Sequence, residues 1–162
     1  MSDPQQENMA DFAGFDLHPS VDRGVAAAGF IAPRPIQARA IPAALEGRDI
    51  LGLAQTGTGK TAAFALPIIE QILDEPCTGP QALIVAPTRE LASQICEEIH
   101  LLACHTQIAA ITLYGGVSAA SQRAALRKNP DIIVACPGRL LDLHGQGMVR
   151  FKNITTLVLD EA

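Results

Sequence analysis

Five short apolar runs punctuate this 162-residue chain, at 50–54, 82–86, 108–113, 131–135 and 156–159. The first four each break into a turn of glycine, proline or small polar residues and then into a helix-like stretch, over 60–73, Arg89–Ala103, Ser118–Arg127 and onward from Pro137. No two-residue hairpin signal joins one run to the next. Strands that return only through helices must lie parallel, so the expected fold is α/β, a parallel sheet with helices on both faces. Two further helical stretches, Pro19–Ala28 and Pro33–Leu45, precede the first run, and 74–80 reads as a loop. Residues 1–11 are polar and expected to be disordered, leaving 12–162 as one domain.

Composition suits that architecture. Small aliphatic residues are plentiful and only 4% of the chain is aromatic, so the core packs from Ala, Val, Ile and Leu. The net charge of −5 arises at the front, where five acids precede the first base, Arg23; acids and bases balance beyond it. Net charge therefore neither favours nor excludes a nucleic-acid partner, and individual arginines matter more. No run approaches membrane-spanning length and Met1 to Asn8 lacks the layout of a signal peptide, so no membrane partner is expected and a cytoplasmic location is. Cys96, His100 and Cys104 are four apart, a spacing that shares one helix face, but an ordinary amphipathic helix accounts for it better than a metal site.

The turn after the first run carries the clearest chemistry. Ala54-Gln55-Thr56-Gly57-Thr58-Gly59-Lys60-Thr61 has the make-up of a phosphate-binding loop, although its first position is Ala54 where the strict pattern has glycine. Glycines let successive N–H groups curl inward, the next helix presents its positive end, and Lys60 adds a mobile ammonium. Thr61 supplies the hydroxyl that helps to hold Mg²⁺. At the far end, the run 156–159 delivers Asp160-Glu161, one acid to hold the metal through water and one to orient the attacking water. A nucleotide with Mg²⁺ is the ligand these two segments suggest together.

In parallel α/β sheets ligands gather at the carboxyl ends of the strands. The remaining strand ends carry Pro87-Thr88-Arg89, Gly115-Gly116 and Pro137-Gly138-Arg139. Arg89 and Arg139 each open a helix, where backbone N–H groups and a guanidinium suit a phosphate. Glycines allow close backbone approach, which tilts the set toward a nucleic-acid backbone.

As a set, these segments resemble the first RecA-like domain of the DEAD-box ATP-dependent RNA helicases, over nearly the whole chain after residue 11. Ala54–Thr61 matches motif I of that family, Pro87–Ala92 motif Ia, Gly115-Gly116 its GG element, Cys136–Arg139 motif Ib and Asp160-Glu161-Ala162 the start of the DEAD motif. Residues 29–37, Gly-Phe-Ile-Ala-Pro-Arg-Pro-Ile-Gln, look like the Q motif, with Phe12 as its upstream aromatic. The resemblance implies ATP and Mg²⁺ as cofactors, with Lys60, Asp160 and Glu161 catalytic and Thr61 and Asp160 at the metal. It places Phe30, Arg34, Gln37 and Gln55 to Thr61 on the nucleotide, and Pro87 to Arg89, Gly115, Gly116 and Pro137 to Arg139 on RNA. Gln37 offers a carbonyl and an amide that match the N6 and N7 edge of adenine, and Phe30 a flat apolar face. Two positions depart from the family: Arg34 stands where a small hydroxyl residue is usual, and Cys136 replaces threonine.

The resemblance further implies a second RecA-like domain as partner, and RNA-stimulated ATP hydrolysis coupled to duplex unwinding. Rival readings are a nucleotide-binding switch without turnover, against which the paired acids argue, and a P-loop motor acting on DNA or protein. In P-loop ATPases of this class the strand after the Asp-Glu strand inserts between it and the phosphate-loop strand. A chain ending at Ala162 is therefore expected to leave a gap or unpaired edges in its sheet.

Overall fold

The computed structural model describes residues 11–55 and 57–161. The expected disorder of 1–11 falls, Asp11 apart, outside those residues, as do Thr56 and Ala162. After a short 3-10 turn, Phe12–Phe15, come helices α1 (Pro19–Ala27), α2 (Pro35–Leu45) and α3 (Lys60–Asp74). Strand β1 (Ala82–Val85), α4 (Arg89–Leu102), β2 (Ala110–Leu113), α5 (Ala119–Leu126), β3 (Ile132–Ala135), α6 (Pro137–Gly145) and β4 (Thr156–Leu159) follow in strict alternation. Boundaries lie within two residues of those expected.

All pairings in the four-stranded sheet are parallel, in the order β2-β3-β1-β4. Ala82 on β1 stands level with Ile132 on β3 and Thr156 on β4, so the four carboxyl ends share one edge of the sheet. Strand periodicity splits the core in two. Ala82, Ile84, Ile132 and Val134 point to one face, where Val21, Ile41, Leu66, Ile69, Ile95 and Ile99 of α1 to α4 cover them. Leu83, Ile133, Ala135 and Leu113 point to the other, under Leu140 and Leu143 of α6. Gly24 in the middle of α1 is there for space. A Cβ on it would stand 1.8 Å from the Leu102 carbonyl oxygen, so only glycine lets α1 cross the end of α4 this closely.

One expected strand is absent. Residues 50–54 have no regular structure, and Leu51 and Leu53 are both 90% exposed. A strand exists only through a hydrogen-bonded neighbour, and this run has none among the described residues. The neighbouring edge is equally unmet: β4 pairs with β1 alone, leaving Leu157 and Leu159 58% and 60% exposed. Between the two lies a cleft of about 530 Å³ lined by Ile50, Gly52, Phe64, Leu157 and Leu159, with Lys60 and Asp160 at its end. The expected gap in the sheet is this cleft. No helix among the described residues is long and apolar enough to cross a membrane.

Candidate active site

The phosphate loop bridges the irregular segment 50–55 and α3. Gly57 and Gly59 take left-handed backbone angles, φ 80° and 87°, which a side chain would resist. Gly59 is then the N-cap position of α3, and Lys60 and Thr61 are its first two residues. The Lys60 ammonium reaches across to the Asp160 carboxylate, Nζ to Oδ1 3.8 Å, with both side chains mostly buried. Asp160 is held there by the sheet, because its N–H donates to the Val85 carbonyl (2.9 Å) and so carries the β4 ladder one residue beyond the strand. Glu161 follows in a left-handed conformation (φ 53°) that turns the chain sharply at the strand end. A lysine and an acid some hundred positions apart in sequence thus meet at the carboxyl edge.

The segment resembling the Q motif packs directly on this loop. Gln37 is completely buried. Its Oε1 accepts from the Arg34 N–H (2.8 Å) and its Nε2 donates to the Gly59 carbonyl (3.1 Å), so both ends of the amide are engaged within the protein. Arg34 donates from Nη1 to the Gly57 carbonyl. Phe30 is half-buried and meets Phe12 edge to face, with ring centroids 5.7 Å apart. Phe12, the upstream aromatic, is therefore a core residue that fixes Phe30.

Glu98 on α4 is a site residue that no motif flagged. Burial, the dominant influence, raises its pKa above the ordinary carboxylate value, opposed by the Thr61 hydroxyl and the Ala62 N–H as donors and by the charge of the Arg34 guanidinium. The available signal was positional. Glu98 lies nine residues after Arg89, far enough along α4 to leave the strand-end loop and reach the start of α3.

The remaining strand ends assemble on the same edge. Thr88 caps α4, its hydroxyl accepting from the Leu91 N–H (3.2 Å), and Arg89 is exposed, paired with Glu90 at 2.7 Å. A Cβ on Gly116 would lie 3.8 Å from the Arg89 guanidinium, so motifs Ia and GG adjoin. Arg139 is less free: its guanidinium donates to Gln122 Oε1 (3.4 Å) and stands 3.8 Å from Asp142. Gln122, itself buried, donates onward to the Tyr114 carbonyl (2.8 Å) and ties the ends of β2 and α6 together. Pro87, Gly115, Pro137 and Gly138 are exposed around these groups. Among the described residues no metal-binding cluster of His, Cys, Asp and Glu occurs. His100 Nε2 lies 2.9 Å from the Ala110 carbonyl oxygen and 3.9 Å from Cys96 Sγ.

Residues 34–162 match the family model for the DEAD/DEAH box helicase. The chain belongs to that family. It is 46% identical over 154 residues to the ATP-dependent RNA helicase CshA of Listeria monocytogenes, covering 95% of this chain and 29% of that protein. It is 44% identical to the DEAD-box ATP-dependent RNA helicase CshA of Bacillus subtilis over 93% of this chain and 30% of that one. The corresponding protein of Geobacillus kaustophilus is 42% identical over 95% of this chain and 33% of its own length. The chain thus spans about a third of the curated relatives it matches.

Proposed function

We propose that this chain forms the ATP-binding, first RecA-like half of an RNA helicase that hydrolyses ATP on RNA and separates short duplexes. The carrying observation is the approach of Lys60 to Asp160 at 3.8 Å on the carboxyl edge of a parallel sheet. Family membership and the printed names of the relatives support ATP and RNA as ligands. Lys60 neutralises the phosphates as charge moves onto the leaving oxygen, and the loop N–H groups hold them in place. Glu161 orients the attacking water. A hydroxyl and a mostly buried carboxylate, Thr61 and Asp160, form the hard-oxygen donor set that Mg²⁺ prefers, and both are proposed to hold it. When bound, that ion screens the phosphate charges. Phe30 and Gln37 serve the base side of the nucleotide, Gln37 through the second acceptor and second donor site its amide has beside its loop bonds, and Arg34 serves the phosphate side through the Gly57 carbonyl it holds. RNA phosphates lie along Pro87 to Arg89, Gly115-Gly116 and Pro137 to Arg139, with a second RecA-like domain as the partner that closes over them.

The test is phosphate release by the intact protein with and without single-stranded RNA, beside its Lys60→Ala variant. RNA should stimulate release, and the variant should lose about a hundredfold or more, as for removal of a charge at the transition state. Release that is indifferent to RNA would overturn the helicase reading. Release that survives in the variant would overturn the role of Lys60.

A further inference from the structure

Three side-chain donors grip alternate carbonyls of the phosphate loop. Thr58 Oγ1 donates to the Gln55 oxygen (2.7 Å), Arg34 to the Gly57 oxygen and Gln37 to the Gly59 oxygen. In a planar trans peptide the carbonyl and the following N–H point in opposite directions. Holding the oxygens of Gly57 and Gly59 toward α2 therefore turns the N–H groups of Thr58 and Lys60 away from it. The loop's N–H groups are thereby set from behind, through the Gly57 and Gly59 carbonyls that Arg34 and Gln37 hold. Thr58 and Gln37 belong to the motifs already described, whereas Arg34 occupies a position where a short hydroxyl residue is usual. Its stem lies along the loop, with Cδ 3.2 Å from where a Cβ on Gly59 would stand.

We propose that Arg34 is a positioning residue that latches the phosphate loop through the Gly57 carbonyl, presetting the Thr58 and Lys60 N–H groups for phosphate without itself touching phosphate. The proposal deepens the nucleotide-binding reading and rests on it. A guanidinium whose donor is committed to a carbonyl acts on the ligand only through the peptide it holds. Removing the latch leaves the charge chemistry of Lys60 in place and costs the loop its preset shape, so binding suffers and the chemical step does not.

The experiment is amide hydrogen exchange on the intact protein saturated with ADP, where the phosphates engage the loop N–H groups and slow their exchange, with wild type, Arg34→Ala and Arg34→Met compared. Methionine keeps an unbranched stem and has no donor. Exchange across 57–60 should speed about fivefold in both variants, the factor expected for one net hydrogen bond, while the amides of α2 beyond Ala38 stay protected. In steady-state assays KM for ATP should rise by a similar factor with kcat nearly unchanged, and the salt dependence of ATP binding should stay that of wild type. Unaltered loop exchange in Arg34→Met overturns the latch. A flatter salt dependence in both variants also overturns it, since that marks a direct phosphate contact. If wild type fails to bind ADP or ATP, the nucleotide reading fails and the latch with it, whereas binding with unaltered exchange overturns the latch alone.

Discussion

Gln37 is a buried amide whose bonding capacity exceeds the two partners it has in the protein. Without a nucleotide its carbonyl and amide are satisfied by Arg34 and Gly59, so its complete burial carries no unpaired polar group. The amide oxygen can accept a second bond and the amide nitrogen donate a second, so the edge of adenine would be met with both loop bonds kept, whereas guanine would set its O6 against the Gln37 oxygen. Wild-type protein should therefore bind ATP more tightly than GTP, and Gln37→Ala should lose about 1–3 kcal/mol of that preference. Titration with fluorescent ATP and GTP checks this, and equal affinities in wild type would dispose of the base-reading role. The sequence displayed the type and place of this residue but not its loop bonds, because spacing along a helix does not say what packs on its first turn. Glu70 is a second buried polar group, its Oε1 accepting the His18 N–H at 2.8 Å. Burial pushes its pKa up from the ordinary 4.5, Asp74 and Asp22 add to the shift, and the His18 N–H and imidazole oppose it. The unfolded chain thus ionises first as pH rises past 4.5, and stability is lost until the folded carboxyl has also ionised. Glu70→Gln keeps the acceptor and escapes the loss. Its melting temperature should exceed that of wild type at pH 7 and match it near pH 4; an equal difference at both would exclude titration of Glu70 as the cause.

At the scale of elements, contacts between helices decide what the apolar pattern leaves open. The pattern located four strands and six helices, since each carries its own periodicity. It could not show that α1 crosses the end of α4 so closely that Gly24 is obligatory. Gly24→Ala should destabilise the protein by about 2 kcal/mol or more, although alanine is the better helix former, because the added methyl meets backbone that cannot yield. Urea unfolding followed by circular dichroism measures this, and a neutral or stabilising result would mean that α1 can shift at little cost. Strand-end arginines differ for a similar reason. Arg89 is exposed and shares only a screened pair with Glu90, whereas Arg139 also braces Gln122 and Asp142. Both Arg→Ala changes should weaken binding to single-stranded RNA of any sequence and flatten its salt dependence, as loss of phosphate contacts does. Only Arg139→Ala should also lower the melting temperature. RNA binding at full strength in both variants would remove motifs Ia and Ib from the RNA path.

On the scale of the whole molecule, the missing strand is the feature that sequence pattern alone misjudged. The run 50–54 is apolar enough for a central strand, yet strandedness belongs to a pair, and the run stands across a cleft from β4 with no partner between among the described residues. Lys60 and Asp160 line that same cleft, so their approach is held by β4 on one side and by a segment outside the sheet on the other. Exposed Leu51, Leu53, Leu157 and Leu159 form an apolar edge of the kind that recruits other chains. The polypeptide of residues 1–162 by itself should therefore bind ATP weakly, show no RNA-stimulated hydrolysis and scatter light increasingly with concentration. Phosphoryl transfer depends on positioning and charge stabilisation, and a phosphate loop whose leading segment lacks a sheet neighbour positions poorly. Phosphate release by this polypeptide, measured with and without RNA beside the intact protein and its Lys60→Ala variant, checks the expectation. Turnover close to that of the intact protein would show that the open cleft leaves the site fully organised and that closure by a second domain is dispensable.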